Sequence, residues 1–387
     1  MSSLLMQKYP PRCWVEVSLK ALKHNAAFCR AKAGCPLMAI VKADAYGHGL
    51  EEVARGLSQE IEAFGVANLR ESLRLRNALP DLAIPILILS PATPEEIPAI
   101  IAGGFSASVS TPEEVKIYDA EAAKANTKAS LHAVADTGMG RMGSAPETFP
   151  ALVELIQAQQ HCLLAGVNTH FPSADEEADF TAEQINEFLS LIKPLALPSD
   201  CAIHIANSAG LLGFQKRMPF VTMARPGLAL YGISPLKGVA NELQPVLKWK
   251  TRVTLIREIS AGTSISYGRT FTAENSMRVA TLGIGYGDGY PRHLSNQQAE
   301  VLISGKRCPV LGRITMDQVV VDISHLDETV KSGDEAVVIG AQENEKITAS
   351  ELAEKAGTIP WEILTGITSR VERIYSTTPG GNHQQSA

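Results

Sequence analysis

The sequence predicts a (β/α)8 barrel followed by a mainly β domain. Three observations predict it. Short apolar runs rich in β-branched residues alternate with helix-period stretches from about residue 37 to 225, and eight such runs can be counted. After about Pro245 the texture changes to short strand-like runs separated by turns containing Gly and Asp. The length of 387 residues exceeds what one ordinary core holds. We place the barrel at 12–242, the β domain at 243–378 and a disordered tail at 379–387.

The eight runs are Leu37–Lys42, Ala63–Val66, Ile84–Leu89, Phe105–Val109, Ala129–Ala135, Leu163–Thr169, Ala202–Ala206 and Phe220–Ala224. Near-continuous apolar strands belong to a parallel sheet covered on both faces. None of the eight is followed by a dinucleotide-type glycine fingerprint, so a closed barrel is favoured over an open doubly wound sheet. Helix starts are marked by Thr93-Pro94-Glu95-Glu96 and Thr111-Pro112-Glu113-Glu114, each with a capping hydroxyl, a proline at the first helical position and an acid three residues after the cap. Thr181 with Gln184 repeats the box. Leu50, Val53, Ala54, Leu57 and Ile61 fall on one helical face, as a crossover helix requires. In the second domain the predicted strands are Thr251–Ile259, Arg278–Ile284, Glu300–Ile303, Val319–Ile323 and Ala336–Ile339, with one helix at about Thr348–Ala356.

Lys+Arg of 35 against Asp+Glu of 41 gives a net charge of −6, so the global positive field that draws proteins onto nucleic acid or anionic membranes is missing. Apolar runs such as Ile84–Leu89 fall far short of the ~20 residues of a membrane span. The first residues, MSSLLMQKYPPR, do not read as a secretion signal. The six cysteines are scattered, without a C-x-x-C pair or a His cluster at metal spacing, so reduced thiols in a cytoplasmic protein are expected, and no metal site. The acids between His170 and Asp179 read as a polar loop entering a helix.

Function in a barrel sits where the strands end, so the polar residues at those ends are the candidates. Lys42 ends the first run, the fifth exits into Asp136-Thr137-Gly138-Met139-Gly140-Arg141, and the sixth into His170-Phe171. The seventh exits into Asn207-Ser208-Ala209-Gly210 and the eighth into Arg225-Pro226-Gly227. Any one of these alone reads equally as a solvated strand end. Together they describe one rim. The loops after strands seven and eight form a recurrent phosphate site on this fold, and Ser208 with Gly227 offers a hydroxyl and an unobstructed amide there. A lysine among Ala39, Ile40 and Val41 loses charge by desolvation and becomes a nucleophilic amine. Phosphate binding plus an amine points to pyridoxal 5'-phosphate.

The stretch Ala39-Ile40-Val41-Lys42-Ala43-Asp44-Ala45-Tyr46-Gly47-His48-Gly49 resembles the cofactor-lysine signature of the alanine racemases, fold-type III pyridoxal-phosphate enzymes. Further matching stretches follow in order: Asp136 to Gly143, Thr169-His170-Phe171, Ala224-Arg225-Pro226-Gly227, Ser266-Tyr267-Gly268, Gly285 to Tyr290 and Gly312 to Asp317. The resemblance implies that Lys42 holds the cofactor and removes the α-proton of the D-enantiomer, with Tyr267 the base for the L-enantiomer. Racemisation needs a proton acceptor on each face of a planar carbanion. A free tyrosine, with a pKa of about 10, needs nearby cations for that task, and the resemblance assigns it to the pair His170 and Arg225. It also implies cofactor contacts from Tyr46, Asn207, Ser208 and Gly227, with Arg225 at the ring nitrogen. Arg141 and the backbone of Met316 are implied as substrate contacts, and Asp175, Tyr286, Arg292, Arg313 and Trp361 as entrance residues. Tyr267 and Met316 are implied to come from the partner chain of a head-to-tail homodimer sharing its active sites.

Two positions depart from the family pattern. Val134 stands where many relatives place a carbamate-bearing lysine that orients the arginine matching Arg141, so a chloride ion or a neighbouring acid is expected to replace it. Trp361 stands where the family usually has a tyrosine, which changes the entrance. The function implied is interconversion of L- and D-alanine, supplying D-alanine for peptidoglycan. The alternatives are a broad-specificity amino-acid racemase, a decarboxylase of basic amino acids, and a non-catalytic pyridoxal-phosphate carrier. The decarboxylases use a C-terminal cysteine, and this chain has none after Cys308. Carriers resemble only the first domain.

Overall fold

Strand formation in the N-terminal half follows the apolar runs. The computed structural model describes residues 10–236, 238 and 242–377; the tail expected at 379–387, and residue 378 of the β domain, lie outside the described residues. Seven parallel strands, Met38–Ile40, Ala63–Val66, Ile86–Ile88, Ser106–Val109, Ala129–Val134, Cys162–Asn168 and Ala202–Ile203, pair in sequence order. The eighth run forms no regular strand. Its backbone nevertheless bonds both neighbours: Thr222 N–H donates to Ile203 O, Arg225 N–H to Ala206 O, and Met38 N–H to Ala224 O at 2.8 Å. A parallel bridge between Leu37 and Ala224 closes the ring. Pro226, which has no N–H, accepts from Ile40 N–H and ends the pairing there.

Helices pack outside, as the caps foretell in one case and not in two others. Thr111 accepts from Glu114 N–H while the Glu114 side chain accepts from Thr111 N–H, the predicted reciprocal box. The helix expected after Thr93 instead begins at Ile97. A helix starting at Pro94 would carry Pro98 in its interior, where the ring meets the carbonyl four residues back; residues 94–96 therefore form a turn, with Thr93 N–H donating to Glu96 Oε2 at 2.9 Å. Thr181 is no cap either. It lies within the helix Ala178–Ile192, where its hydroxyl donates to Glu177 O at 2.9 Å.

The barrel interior is partly polar. Ser106 and Ser130 share a hydroxyl hydrogen bond of 2.8 Å, and His132 Nδ1 lies 2.7 Å from His204 Nε2. Gly166 makes room for that pair, since a Cβ there would sit 2.2 Å from His132 Nδ1.

The second half is built on a nine-stranded sheet in which Leu247–Ile259 is the longest strand. Glu335–Gln342 pairs with both Glu300–Ile303 and Leu247–Ile259, so six of the nine strands form a closed ring. The strand Lys306–Leu311, not predicted because Pro309 interrupts it, completes a hairpin over Ser304-Gly305, whose φ values of 48° and 67° suit that tight turn. The chain divides into two compact units that meet in sequence at Gln244/Pro245. Cys13–Ser18 pairs antiparallel with Leu247–Thr251 and parallel with Glu372–Ser376, so residues 10–20 belong with the C-terminal unit. Tyr46–His48 belongs there too, while Ala21–Ala45 and Gly49–Gln244 make the barrel unit.

Candidate active site

Lys42 follows the first barrel strand and opens a backbone that sequence rules do not anticipate. Ala43, Asp44, Ala45 and Tyr46 have φ of 53°, 55°, 53° and 55°, so four L-residues in succession form a left-handed turn, continued by Gly47 at 79°. Each such residue costs roughly 1–2 kcal/mol, and the turn persists because its surroundings fix it. Ala43 N–H donates to Glu71 Oε1 at 2.8 Å and Ala45 N–H to Val41 O at 2.8 Å. Asp44 accepts from Leu50 N–H at 3.2 Å and from Arg74 at 2.8 Å. The turn carries Lys42 at one end and Tyr46 at the other.

The barrel unit brings Lys42, Arg141, His170, Asn207, Ser208, Arg225 and Gly227 to the strand ends. Arg225 is buried, its guanidinium donating to Asn168 Oδ1 at 3.2 Å and Thr169 O at 2.7 Å, with His170 Nδ1 at 3.5 Å. No salt bridge among the described residues links Arg225, Arg141 or Lys42 to a carboxylate. Uncompensated positive charge at a buried position lowers the affinity of its neighbours for protons. Burial, then Arg141 and Arg225, push the Lys42 amine below its ordinary range, with Glu71 opposing. Burial and Arg141 take Arg225 down to about 10. Burial, with Arg225, Arg141 and Lys42, takes His170 down to about 3, so it is a neutral imidazole at pH 7 and the charge of the His170–Arg225 pair is Arg225's. The rim gathers positive charge around a half-buried amine.

The loops after strands seven and eight converge on one oxygen. Ser208 Oγ accepts from Gly227 N–H at 3.0 Å and Ala229 N–H at 3.1 Å, all three residues being buried. Asn207 caps the helix Ser208–Phe214 by accepting from Gly210 N–H at 2.9 Å. Burial raises the Tyr46 phenol to about 12, which keeps it a hydrogen-bond donor at neutral pH. Arg141 sits on a loop turned by Asp136, whose Oδ1 accepts from the N–H groups of Gly138, Met139 and Gly140 at 2.9–3.0 Å. Val134 is buried, and Arg141 pairs with no acid among the described residues. Asp175 is exposed on the loop before Ala178.

The β unit gathers another set on adjoining turns. Tyr267 is 71% exposed, Met316 51% and Tyr286 40%. Ser266 Oγ donates to Arg313 O, and the Arg313 guanidinium lies where a Cβ on Gly268 would meet it at 2.7 Å. Tyr286 N–H donates to Thr315 O at 3.0 Å and Gly287 N–H to Met316 O at 2.8 Å. The turn Arg292–Leu294 joins them through Ser295 Oγ, which accepts from Ile314 N–H at 3.0 Å. Trp361 is half-buried in the short helix Pro360–Thr365. Among the described residues no group of His, Cys, Asp or Glu is arranged to hold a metal ion, and no helix is long and apolar enough to cross a membrane.

Sequence reasoning passed over Asn168, which holds Arg225, and Glu71, which holds the start of the turn. Both carried a signal. Asn168 is the polar end of an apolar strand, and Glu71 is the third residue after the Asn68 cap.

The fold and site define a barrel enzyme with a lysine of lowered proton affinity at the strand ends. Residues 17–235 match the alanine racemase N-terminal domain, and residues 246–375 match the alanine racemase C-terminal domain. The chain belongs to the alanine racemase family. It is 40% identical over 368 residues to an alanine racemase of Methylacidiphilum infernorum, covering 94% of this chain and 93% of that one. It is 38% identical over 376 residues to an alanine racemase of Halothermothrix orenii, covering 95% and 98%. Among solved structures it resembles the Clostridium difficile alanine racemase with a TM-score of 0.87 at 32% identity, over 95% of this chain and 96% of the other. The Bacillus anthracis alanine racemase with bound L-Ala-P gives 0.86 at 34%, over 95% and 96%.

Proposed function

We propose that the chain interconverts L- and D-alanine using pyridoxal 5'-phosphate, and that it supplies D-alanine for peptidoglycan in the cytoplasm. The observation that carries this reading is the Lys42 amine, depressed in proton affinity beside Arg141 and Arg225 with no carboxylate paired to them. The donor set fits the cofactor. A lysine poised toward its neutral form suits an aldehyde, and the Ser208 hydroxyl, whose oxygen accepts from the Gly227 and Ala229 amides, keeps its own O–H to donate to a phosphate. When bound, pyridoxal phosphate supplies an electron-withdrawing ring that accepts negative charge from the substrate α-carbon.

Arg225 would hold the ring nitrogen of the cofactor. A guanidinium has no acceptor site and remains protonated, so it would donate to the ring nitrogen and would leave it uncharged. Asn168 and Thr169 O fix the guanidinium in that role. Lys42 takes the α-proton of D-alanine at Nζ and returns one to that face; Tyr267 does the same at its phenol oxygen for L-alanine. Arg141 and the Met316 backbone orient the substrate carboxylate, Tyr46, Asn207, Ser208 and Gly227 hold the cofactor, and Asp175, Tyr286, Arg292, Arg313 and Trp361 line the way in. The large exposed area of Tyr267, Met316 and Tyr286 on the β unit supports a homodimer in which they meet a second copy's barrel.

The test is exchange of the α-proton in deuterium oxide together with enantiomer interconversion. Tyr267→Phe is expected to impair abstraction from L-alanine far more than cofactor binding. Full turnover of this variant in both directions removes Tyr267 as a base. Trp361 favours one second reading, a broader amino-acid racemase, which a panel of amino acids would expose as comparable kcat/KM for larger side chains.

A further inference from the structure

The left-handed turn between Lys42 and Tyr46 has to be held at both ends, and its two ends are held by different parts of the chain. Lys42–Ala45 belongs to the barrel unit, where Glu71, Val41 and Arg74 bond it. Tyr46–His48 belongs to the C-terminal unit. There the Gly47 carbonyl accepts two hydrogen bonds from Arg373, Nε at 3.2 Å and Nη2 at 3.1 Å. The other three guanidinium N–H groups go to Ile367 O at 2.8 Å, Thr368 O at 2.6 Å and Val371 O at 2.7 Å. All five donors are thus engaged by four backbone carbonyls. The next carbonyl, His48 O, accepts from the Tyr375 hydroxyl at 3.1 Å. Gly47 is seated so closely that a Cβ would lie 2.1 Å from Leu364 O.

We propose that Arg373, seconded by Tyr375, is a positioning residue for the cofactor-lysine turn. It fixes the peptide immediately after Tyr46 and thereby the exit of a backbone conformation that L-residues do not hold unaided. The part of this inference that concerns the cofactor rests on the function proposed above; the anchoring itself does not. Lysine is a poor substitute, because three rotatable donors on a point charge cannot serve four carbonyls in one plane.

Hydrogen exchange of the apo chain and titration of it with pyridoxal phosphate test the proposal. In Arg373→Lys, amides of residues 42–49 are expected to exchange about tenfold faster, while the strand Ala129–Val134 keeps its wild-type rate. Pyridoxal phosphate affinity is expected to fall by about the same factor, which corresponds to ~1.4 kcal/mol. Tyr375→Phe removes the hydroxyl's bond to His48 O and is expected to shift both readouts the same way by less; it decides the matter alone if Arg373→Lys does not fold. A merely structural role would speed exchange across the β unit in proportion and leave residues 42–49 no more affected than the rest. That pattern, or faster exchange with affinity unchanged within twofold, overturns the proposal. If the wild-type chain itself takes up no pyridoxal phosphate, the proposed function fails, and the exchange measurement still decides whether Arg373 anchors the turn.

Discussion

Mild acid should unfold the barrel through its buried histidines. His132 and His170 each have a proton affinity lowered from the ordinary 6.5 to about 3, by burial first and then by Arg225, with Arg141 and Lys42 also acting on His170. The unfolded chain binds protons at these sites from about pH 6.5 downward, whereas the folded chain resists until about pH 3. The stabilisation is therefore complete above the unfolded value and is lost as the pH falls. At pH 5 the unfolded state is favoured by about 1.5 units at each site, or ~2 kcal/mol per histidine and ~4 kcal/mol for the two. His204, also driven well below 6.5, acts in the same direction. The assay is urea unfolding of the apo chain at fixed concentration between pH 7.5 and 5, followed by circular dichroism. Trp14, Trp249 and Trp361 all lie in the C-terminal unit, so tryptophan emission follows that unit instead. His170→Asn should remove about a third of the change, since His132 and His204 remain. A barrel transition whose free energy is the same within ~1 kcal/mol at both pH values would refute the reasoning, since it requires these imidazoles to be protonated or solvated.

The remaining predictions concern the turn, the shared site and the departure at Val134. Gly47→Ala combines a positive φ with a Cβ 2.1 Å from Leu364 O. It should destabilise the chain by about 2–5 kcal/mol in urea unfolding; a loss under ~1 kcal/mol would mean that the turn relaxes freely. Neither Lys42→Ala nor Tyr267→Phe chains should racemise alanine in both directions, yet a refolded mixture should regain activity, because a heterodimer with shared sites carries one intact pair. No recovery in a mixture shown to exchange subunits would refute the sharing. Val134→Lys buries an amine opposite Asn168, which already holds Arg225. It should lower stability by about 3 kcal/mol without bicarbonate and recover with it if the amine is converted to an anionic carbamate; thermal unfolding with and without bicarbonate checks this.

What could be read from the sequence was whatever depends on neighbours along the chain. The strands Ala63–Val66 and Glu300–Ile303 lie where their apolar patterns put them, and the Thr111 box has its reciprocal bonds. The rim residues Lys42, Arg141, His170, Ser208 and Arg225 were legible because a barrel converts strand ends into neighbours. Long-range pairing was not legible. Cys13–Ser18 is completed by Leu247–Thr251 and Glu372–Ser376, segments more than two hundred residues away, and nothing in its own pattern names them. The left-handed turn runs against local preference at four residues, so any reading based on propensity excludes it. Arg373 was invisible for a related reason: its partners are backbone carbonyls, which every residue possesses and no side chain marks.

In the proposed reading, one charge arrangement would serve both the lowered proton affinity of Lys42 and the attraction of an anionic cofactor. Arg141 and Arg225 disfavour a proton on Lys42, and that repulsion is present only while no anion sits among them. An arriving anion binds more strongly because the cations are already gathered and partly desolvated, so the electrostatic strain of the apo chain reappears as binding free energy. His170, neutral between them, adds no further positive charge to that strain. A carboxylate beside Arg225 would relieve the apo chain and would at once weaken the hold on an anion and raise the proton affinity of Lys42. Asn168 avoids both effects: its amide oxygen orients the guanidinium without neutralising it. Replacing Asn168 by Asp should therefore stabilise the apo chain and loosen pyridoxal phosphate together, and an Asp variant that bound the cofactor as tightly as the wild type would break the link between the two.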